Sequence, residues 1–341
     1  MSDVNDPISR RRALALGGGI AGGLAVASSP LLGAPGRALA ATARGGIDVT
    51  GKAGNGQLPV QQIEAIMQTT GMVMNGVLSI NLDRDDLHVT GPGGLLWKPA
   101  FEVNHMFYFQ PLDDGRTILN AEMAMLAAEN NPVIDKILAG GLTLMAFHQH
   151  FVGESPQIWH MHFRGIGDPL TLAQAAIAVV RATGTPLPQS QPSNPTTPLP
   201  KNQLARILGG TAQVGSAGVV TVSVPRSDTI VLAGVVMKPD AGVSITVEFE
   251  PLGNGQAACA PDLALLATEV NPALGVARAQ GFTVHCLYNQ ETDEQPQLYF
   301  SHNLAVGAPI DLAHRVSKVL DKMVIAHVGS GQDLAGRVGH E

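Results

Sequence analysis

The sequence predicts an α+β protein made of two tandem homologous repeats, each an antiparallel sheet covered by helices. Three observations carry this. Several segments alternate apolar and polar residues with the period of a strand. Two others open with a capping side chain followed by proline, Asn131-Pro132 and Asp168-Pro169, which is how helices start. The whole series then recurs: Leu95–Ala173 aligns with Val235–Ala313 without a gap, and nearly a third of the aligned positions are identical. Lys98-Pro99 returns as Lys238-Pro239, Glu129-x-Asn131-Pro132 as Glu269-x-Asn271-Pro272, and Glu154-x-Pro156-Gln157 as Glu294-x-Pro296-Gln297. Upstream, Arg84 and Asp86 pair with Arg226 and Asp228, and Leu58-Pro59 with Leu199-Pro200.

The elements of the first repeat (58–184) follow in order. Ile63, Ile66 and Met67 recur at helical spacing and predict a short helix over Val60–Thr69. Strands are expected at Val77–Leu82, Asp86–Thr90, Leu95–Trp97, Glu102–Gln110 and Thr117–Leu126. The helix opened by Asn131-Pro132 should run to Ala139 and stop at Gly140-Gly141. A hairpin comes next, then a helix from Asp168-Pro169 to Thr183-Gly184. The second repeat (199–326) should repeat this plan. Between them, 185–198 is a proline-rich connector, either a free tether or a strap over the surface.

The hairpin, Phe147 to Arg164, holds four of the eleven histidines. His148 and His150 share one strand face, as do His160 and His162, because residues two apart point the same way. Folding about Ser155 would set His148 opposite His162 and His150 opposite His160, with Glu154 at the rim. Imidazole is the commonest metal ligand, so this patch predicts a divalent transition metal, zinc by preference, with copper or iron as alternatives. The competing reading is that these histidines only satisfy hydrogen bonds. Met145, Phe147, Trp159, Met161 and Phe163 have the opposite parity and should pack under the helices, leaving Leu142, Leu144 and Ala146 at the deep end of the histidine face.

The second copy replaces His148 by Tyr288, His150 by Gln290 and His160 by Phe300, keeping only Glu294 and His302. The fold signals persist while the cluster does not. The histidines are therefore not a requirement of the fold, and the site is expected in repeat one alone. Glu154 is a candidate further ligand or general base. Glu129 is a second catalytic candidate, set against a role in stabilising the helix it precedes. Glu122 sits on a strand, where a buried acid needs a reason. Arg164 could bind an anion or form an ion pair. Met72, Met74, Met106, Met123, Met125, Met145 and Met161 suit either copper or ordinary core filling.

With 341 residues, 45% hydrophobic, the chain can bury two domain cores. A net charge of −7 gives no basic footprint for nucleic acid. Residues 1–43 read as a twin-arginine signal. Arg10, Arg11 and Arg12 precede a weakly apolar Gly/Ala run, and Ala38-Leu39-Ala40 and Ala41-Thr42-Ala43 offer small-residue cleavage sites. No cysteine lies there to take a lipid, so no stable membrane anchor is expected after cleavage, and the address is the periplasm or the exterior. Cys259 and Cys286 are the only cysteines, and the sequence leaves them either bridged or free.

The stretch from Gly141 to Ala173, preceded by Glu129-x-Asn131-Pro132, resembles a family of unknown function named after the mycobacterial lipoproteins LppY and LpqO. The resemblance covers both repeats and implies a domain but no activity. The residues themselves predict an exported metal-binding protein. Metal-dependent hydrolysis of a small molecule or envelope component is the preferred chemistry, and a non-catalytic metal- or ligand-binding module is the alternative. No phosphate-binding glycine loop, zincin motif or serine elbow is present.

Overall fold

The computed structural model describes residues 57–326 apart from Ser193. The expected export signal lies outside them. Repeat one runs α1 (Val60–Met67), β1 (Met72–Met74), β2 (Val77–Asp83), β3 (Asn104–Pro111), β4 (Thr117–Met125), α2 (Asn130–Ala139), β5 (Thr143–His148), β6 (Trp159–Gly167) and α3 (Pro169–Val180). Its strands form one antiparallel sheet in the order β1-β2-β3-β4-β6-β5. Repeat two opens with α4 (Lys201–Leu208), β7 (Thr211–Val214), β8 (Val220–Val224), β9 (Val231–Leu232) and β10 (Val235–Val236). It continues with β11 (Ile245–Gly253), β12 (Gln256–Leu266), α5 (Val270–Ala279), β13 (Thr283–Val284), β14 (Glu294–Gln295), β15 (Leu298–Gly307) and α6 (Pro309–Leu320). Its main sheet, β7-β8-β11-β12-β15-β13, has the same topology, while β9, β10 and β14 form a small separate sheet.

The helices begin close to their signals, although Asn131 lies inside α2, which starts at Asn130 with no side-chain cap. Asp168 accepts a hydrogen bond from the Thr171 amide at 2.8 Å and caps α3, with Pro169 in the first turn. In repeat two Ala308 occupies the same place with the same extended backbone and caps nothing. Strand alternation then divides each sheet into two faces. Leu119, Ala121, Met123 and Met125 on β4 join Met161 and Phe163 on β6 against Ile63, Met67, Val133, Ile137 and Ile177 of the helices. At roughly 1.5–3 kcal/mol for each large apolar side chain fully buried, this face holds sheet to helices. The opposite face carries Asn120, Glu122, His160, His162 and Arg164, and it meets repeat two.

That meeting is pseudo-symmetric. Lys98 N–H donates to Glu250 Oε1 at 3.1 Å, and its counterpart Lys238 N–H donates to Gln110 Oε1 at 2.8 Å. Reciprocal contacts of this kind are those of an isologous dimer, here fused into one chain. Arg164 joins the halves further, donating to Thr292 O at 2.5 Å and to Asp293 Oδ2 at 3.0 Å. It is an inter-repeat tie. The proline-rich connector lies along repeat one as a strap: Gln189 takes the Asp83 amide at 2.9 Å and returns its own side-chain N–H to Asp83 O at 2.7 Å.

Four expectations are corrected. The segments Asp86–Thr90 and Leu95–Trp97 form no named strands; Thr90 makes only isolated bridges to Leu96 and Ser155, because Pro92–Gly94 turns tightly between them. The strand expected from Glu102 begins at Asn104, since Glu102 has a left-handed backbone with φ of 65°. The hairpin register is also different. β5 pairs Leu144 with Phe163, passes over Met145, then pairs Ala146 with His162 and His148 with His160. This irregularity turns Leu142 and Leu144 into the helix-side core and brings Met145 Sδ to 3.4 Å from Arg164 Nη1. His150 lies past the end of β5, because the connector to β6 is pinned to Thr90 at Ser155 rather than folded tightly about it. Finally, the candidate donor groups are not confined to repeat one, since His302 joins Glu102 and His150 in one of them. The two cysteines are free.

Candidate metal centre

β6 projects His160 and His162 from the inner face of sheet one, and β4 sets Glu122 directly opposite His162. Glu122 Oε1 lies 2.7 Å from His160 Nδ1 and 3.3 Å from His150 Nε2, and its Oε2 lies 3.9 Å from His162 Nε2. His148 Nε2 is 3.1 Å from His150 Nε2. The four histidines expected to converge do so despite the altered register, since parity is kept after the bulge.

Repeat two supplies the other wall. The His302 ring stacks on His150 with centroids 3.5 Å apart, and Tyr288 stacks on His148 at the same separation. Glu102 Oε2 joins the halves, 3.0 Å from His150 Nδ1 and 3.5 Å from His302 Nε2. Asp262, paired across strands with His302, approaches that ring to 3.9 Å. Three donor groups result: His148, His150 and His162; Glu102, His150 and His302; and Glu122, His150 and His160. His150 belongs to all three.

The electrostatics favour a cation. Burial drives the imidazoles toward the neutral, lone-pair form: His162 falls to about 4, His302 to about 3, and His148 and His150 well below the usual range. The acids are crowded. Burial, then the charges of Glu248, Asp262, Glu122 and Glu154, lifts Glu102 well above the ordinary range. Asp262 rises likewise, through burial and then Glu122 and Glu248. For Glu122 burial pulls upward, but His162 and His160 prevail and hold it at about 2. His148 Nδ1, His160 Nε2, His162 Nε2, Asp262 Oδ1 and Glu248 Oε2 are buried without a hydrogen-bond partner. Buried orphans of this kind are costly, and a cation within reach of one offsets that cost.

The spacing fits as well. Ligands about 2.0–2.1 Å from a tetrahedral ion lie about 3.3–3.4 Å from one another. The 3.1 and 3.3 Å separations around His150 Nε2 are close to that edge. His150 is sandwiched between His160, at 3.4 Å, and His302. The centre opens onto a cavity of about 590 Å³ between the sheets, lined by Met72, Met74, Met106, Tyr108, Asn81 and Gln213 among others. No Lys or Arg lines it among the described residues.

A family model described as Domain of Unknown Function (DUF1259) matches residues 61–182 and again 202–322, more than half the chain. The chain belongs to this family. No curated protein and no solved structure matched it. The two DUF1259 copies thus share one inner space, and the centre is built from both.

The two acids proposed as catalytic stand elsewhere. Glu129 is bidentate to buried Arg84, at 2.8 and 2.9 Å, and also accepts the Leu126 and Gly184 amides. Glu269 repeats this clamp on Arg226 in the second DUF1259 copy. Its job is structural in both. Glu154 braces its own connector, accepting from Gln157 Nε2 at 2.6 Å and the Ile158 amide at 3.1 Å, as Glu294 does from Gln297 and Leu298. It enters none of the donor groups. His105 is scaffold, accepting the Ala124 amide and bonded to Thr185.

Sequence reasoning left Glu102, Asp262, Glu248 and Tyr288 out of the site and gave His302 no role in it. One signal was present for Asp262 and His302. The pairs Glu122–His162 and Asp262–His302 fall at matching positions, an acid opposite a histidine in each copy.

Proposed function

We propose that this DUF1259 protein is an exported metal-binding protein whose ion sits between its repeats on His148, His150 and His162, with Glu122 and His160 beside them. The observation that carries the reading is the convergence of His148, His160, Glu122 and Glu102 on His150, with orphaned polar atoms buried beside them, in a space that among the described residues is lined by acids and histidines and by no Lys or Arg. Nitrogen and oxygen donors without thiolate suit zinc, with iron or copper as alternatives. Of the methionines, Met123, Met125 and Met161 belong to the helix-side core, whereas Met72, Met74 and Met106 line the cavity, so copper stays an alternative.

Hydrolysis is the chemistry we favour. A divalent ion supplies Lewis acidity, polarising an oxygen of the substrate or acidifying water. The chain's own groups would do the rest. Burial, offset in part by a hydrogen bond from Thr221, raises Glu248 to about 8, so it holds a proton at neutral pH and can donate it to a leaving group. The cavity admits a small molecule, and its lack of cationic side chains favours a neutral or cationic substrate over a phosphorylated one. A non-catalytic module that binds metal or a ligand is the second reading, favoured by a donor set large enough to fill a coordination sphere.

Export by the twin-arginine route, release without a membrane anchor, an envelope component as partner, and closer kinship to the LppY/LpqO lipoproteins belong to the same proposal. Among the described residues no helix is long and apolar enough to cross a membrane. The test is elemental analysis of untagged protein exported by its own signal, beside a His148→Ala/His150→Ala variant. Metal in the first and none in the variant supports the site; equal metal in both refutes it. Turnover of neutral ester or amide substrates that is lost on chelation and restored by zinc would separate hydrolase from module.

A further inference from the structure

The duplication has a chemical consequence beyond a single ion. Each repeat places an acid opposite a histidine on paired inner strands, Glu122 with His162 on β4 and β6, and Asp262 with His302 on β12 and β15. Both pairs have the same spacing, 3.9 Å between the nearest carboxylate oxygen and Nε2. The pseudo-two-fold packing sets the two pairs facing each other, and His150 fills the gap between them. Its two ring nitrogens look in different directions. Nε2 meets His148 and Glu122, at 3.1 and 3.3 Å, whereas Nδ1 meets Glu102 at 3.0 Å.

One ion on the His148 side leaves two features unexplained. Asp262 Oδ1 stays buried with no hydrogen-bond partner, His302 Nε2 lying 3.9 Å away. Glu102 stays in a left-handed backbone, φ 65°, at the position where the second copy has Gly242 with φ 81°. A side chain is kept there against its backbone preference, and its carboxylate reaches His302 and His150.

We infer that the centre holds two divalent ions, the second on Glu102, His302 and His150 Nδ1 with Asp262 alongside, so that His150 lies between the two. This rests on the metal-binding reading above. When both ring nitrogens of His150 take an ion, the remaining ring proton leaves to solvent as the second ion arrives, and any proton that burial has kept on Glu102 leaves with it.

The test is metal stoichiometry of the full mature chain. Protein stripped with chelator is reloaded with zinc, freed of excess, and analysed for metal per chain. Wild type should retain two equivalents. Glu102→Gly should retain one and still fold, because glycine is what the second copy carries there. His302→Ala should also retain one, and His148→Ala should lose the other. Loaded with Cu²⁺, wild type should show a spin-resonance signal well below its copper content through coupling, and Glu102→Gly a full one-copper signal. One equivalent in wild type, unchanged in Glu102→Gly and His302→Ala, overturns the second ion and leaves the metal-binding reading standing. Two equivalents retained by both variants also overturns it, since the second ion is then elsewhere. No metal in wild type removes both readings.

Discussion

Glu102 provides a test of whether strain in this fold is held for a ligand. The perturbation is Glu102→Gly. A non-glycine residue in the left-handed region costs about 1–3 kcal/mol and persists only where its surroundings insist on it. Gly242 shows that the fold accepts glycine at the equivalent position, and there a Cβ would meet the Tyr108 ring at 2.9 Å. Glycine returns about 0.4–1 kcal/mol to the unfolded chain as added freedom. The lost carboxylate is buried among Glu248, Asp262 and Glu122, so its ionised form adds repulsion as well as its contact with His150. In chelator, the variant should therefore be about 1–2 kcal/mol more stable than wild type.

Metal should reverse the order. An ion held only by the folded state adds about 2.7 kcal/mol at a hundredfold excess over its Kd. Wild type gains this from two ions and the variant from one, which outweighs the relief of strain. Urea denaturation in chelator and in buffered zinc, followed by circular dichroism, measures both differences. If Glu102→Gly is less stable than wild type in chelator, the carboxylate is holding the apo fold together and the reasoning from strain is wrong.

Three further outcomes follow from the same structure. Ala308→Ser should restore the cap that Asp168 gives α3 and raise stability by about 1 kcal/mol, read from the denaturation midpoint. Burial lifts Glu154 to about 8 and Glu294 to about 7. Their folded values exceed the unfolded ones, so the stability they contribute is present below about pH 4.3 and lost as pH rises toward 8. Metal-free protein should thus melt lower at pH 8 than at pH 5.5, and Glu154→Gln/Glu294→Gln should flatten that slope; an unchanged slope refutes the assignment. Glu129→Gln should cost about 3 kcal/mol by leaving buried Arg84 undercompensated, while the folded fraction keeps its full metal content, as a structural clamp requires.

What the sequence disclosed follows the range of the interaction responsible. Helix starts depend on a residue and its near neighbours: Asp168-Pro169 marked both the start and the cap of α3, while Asn131-Pro132 marked the start of α2 to within a residue but not its cap. The repeat showed in the spacing of Lys98-Pro99, Glu129 and His162 against Lys238-Pro239, Glu269 and His302. Register depended on a bulge at Met145 and on the anchoring of Ser155 to Thr90, neither of which has a local signature. Half of the centre was hidden for a related reason. The second copy looked like a degenerate site because it was compared with the first position by position. The physically relevant comparison was across the pseudo-two-fold, where Asp262 and His302 complete what Glu122 and His162 begin.

The substitutions already present in repeat two are themselves an experiment on His150. A symmetric pair of repeats would send two such imidazoles toward one axial gap, and the second copy instead has Gln290, whose side-chain N–H turns to Gly242 O at 3.4 Å. His150→Gln therefore places in repeat one a side chain that this fold carries at the matching position. Since His150 belongs to every donor group, its loss should abolish retention of both ions rather than one. In chelator the variant should melt close to wild type, because the stacked ring gives up little packing to an amide of similar reach. In zinc it should show none of the stabilisation, about 2.7 kcal/mol per ion at a hundredfold excess over Kd, that wild type gains. Thermal melts in both buffers, with metal analysis of the same samples, read the result. A His150→Gln protein that keeps its metal and its zinc-dependent shift would show that the donor groups do not act through their shared residue, and the centre would have to be rebuilt around Glu122, His160 and His162 alone.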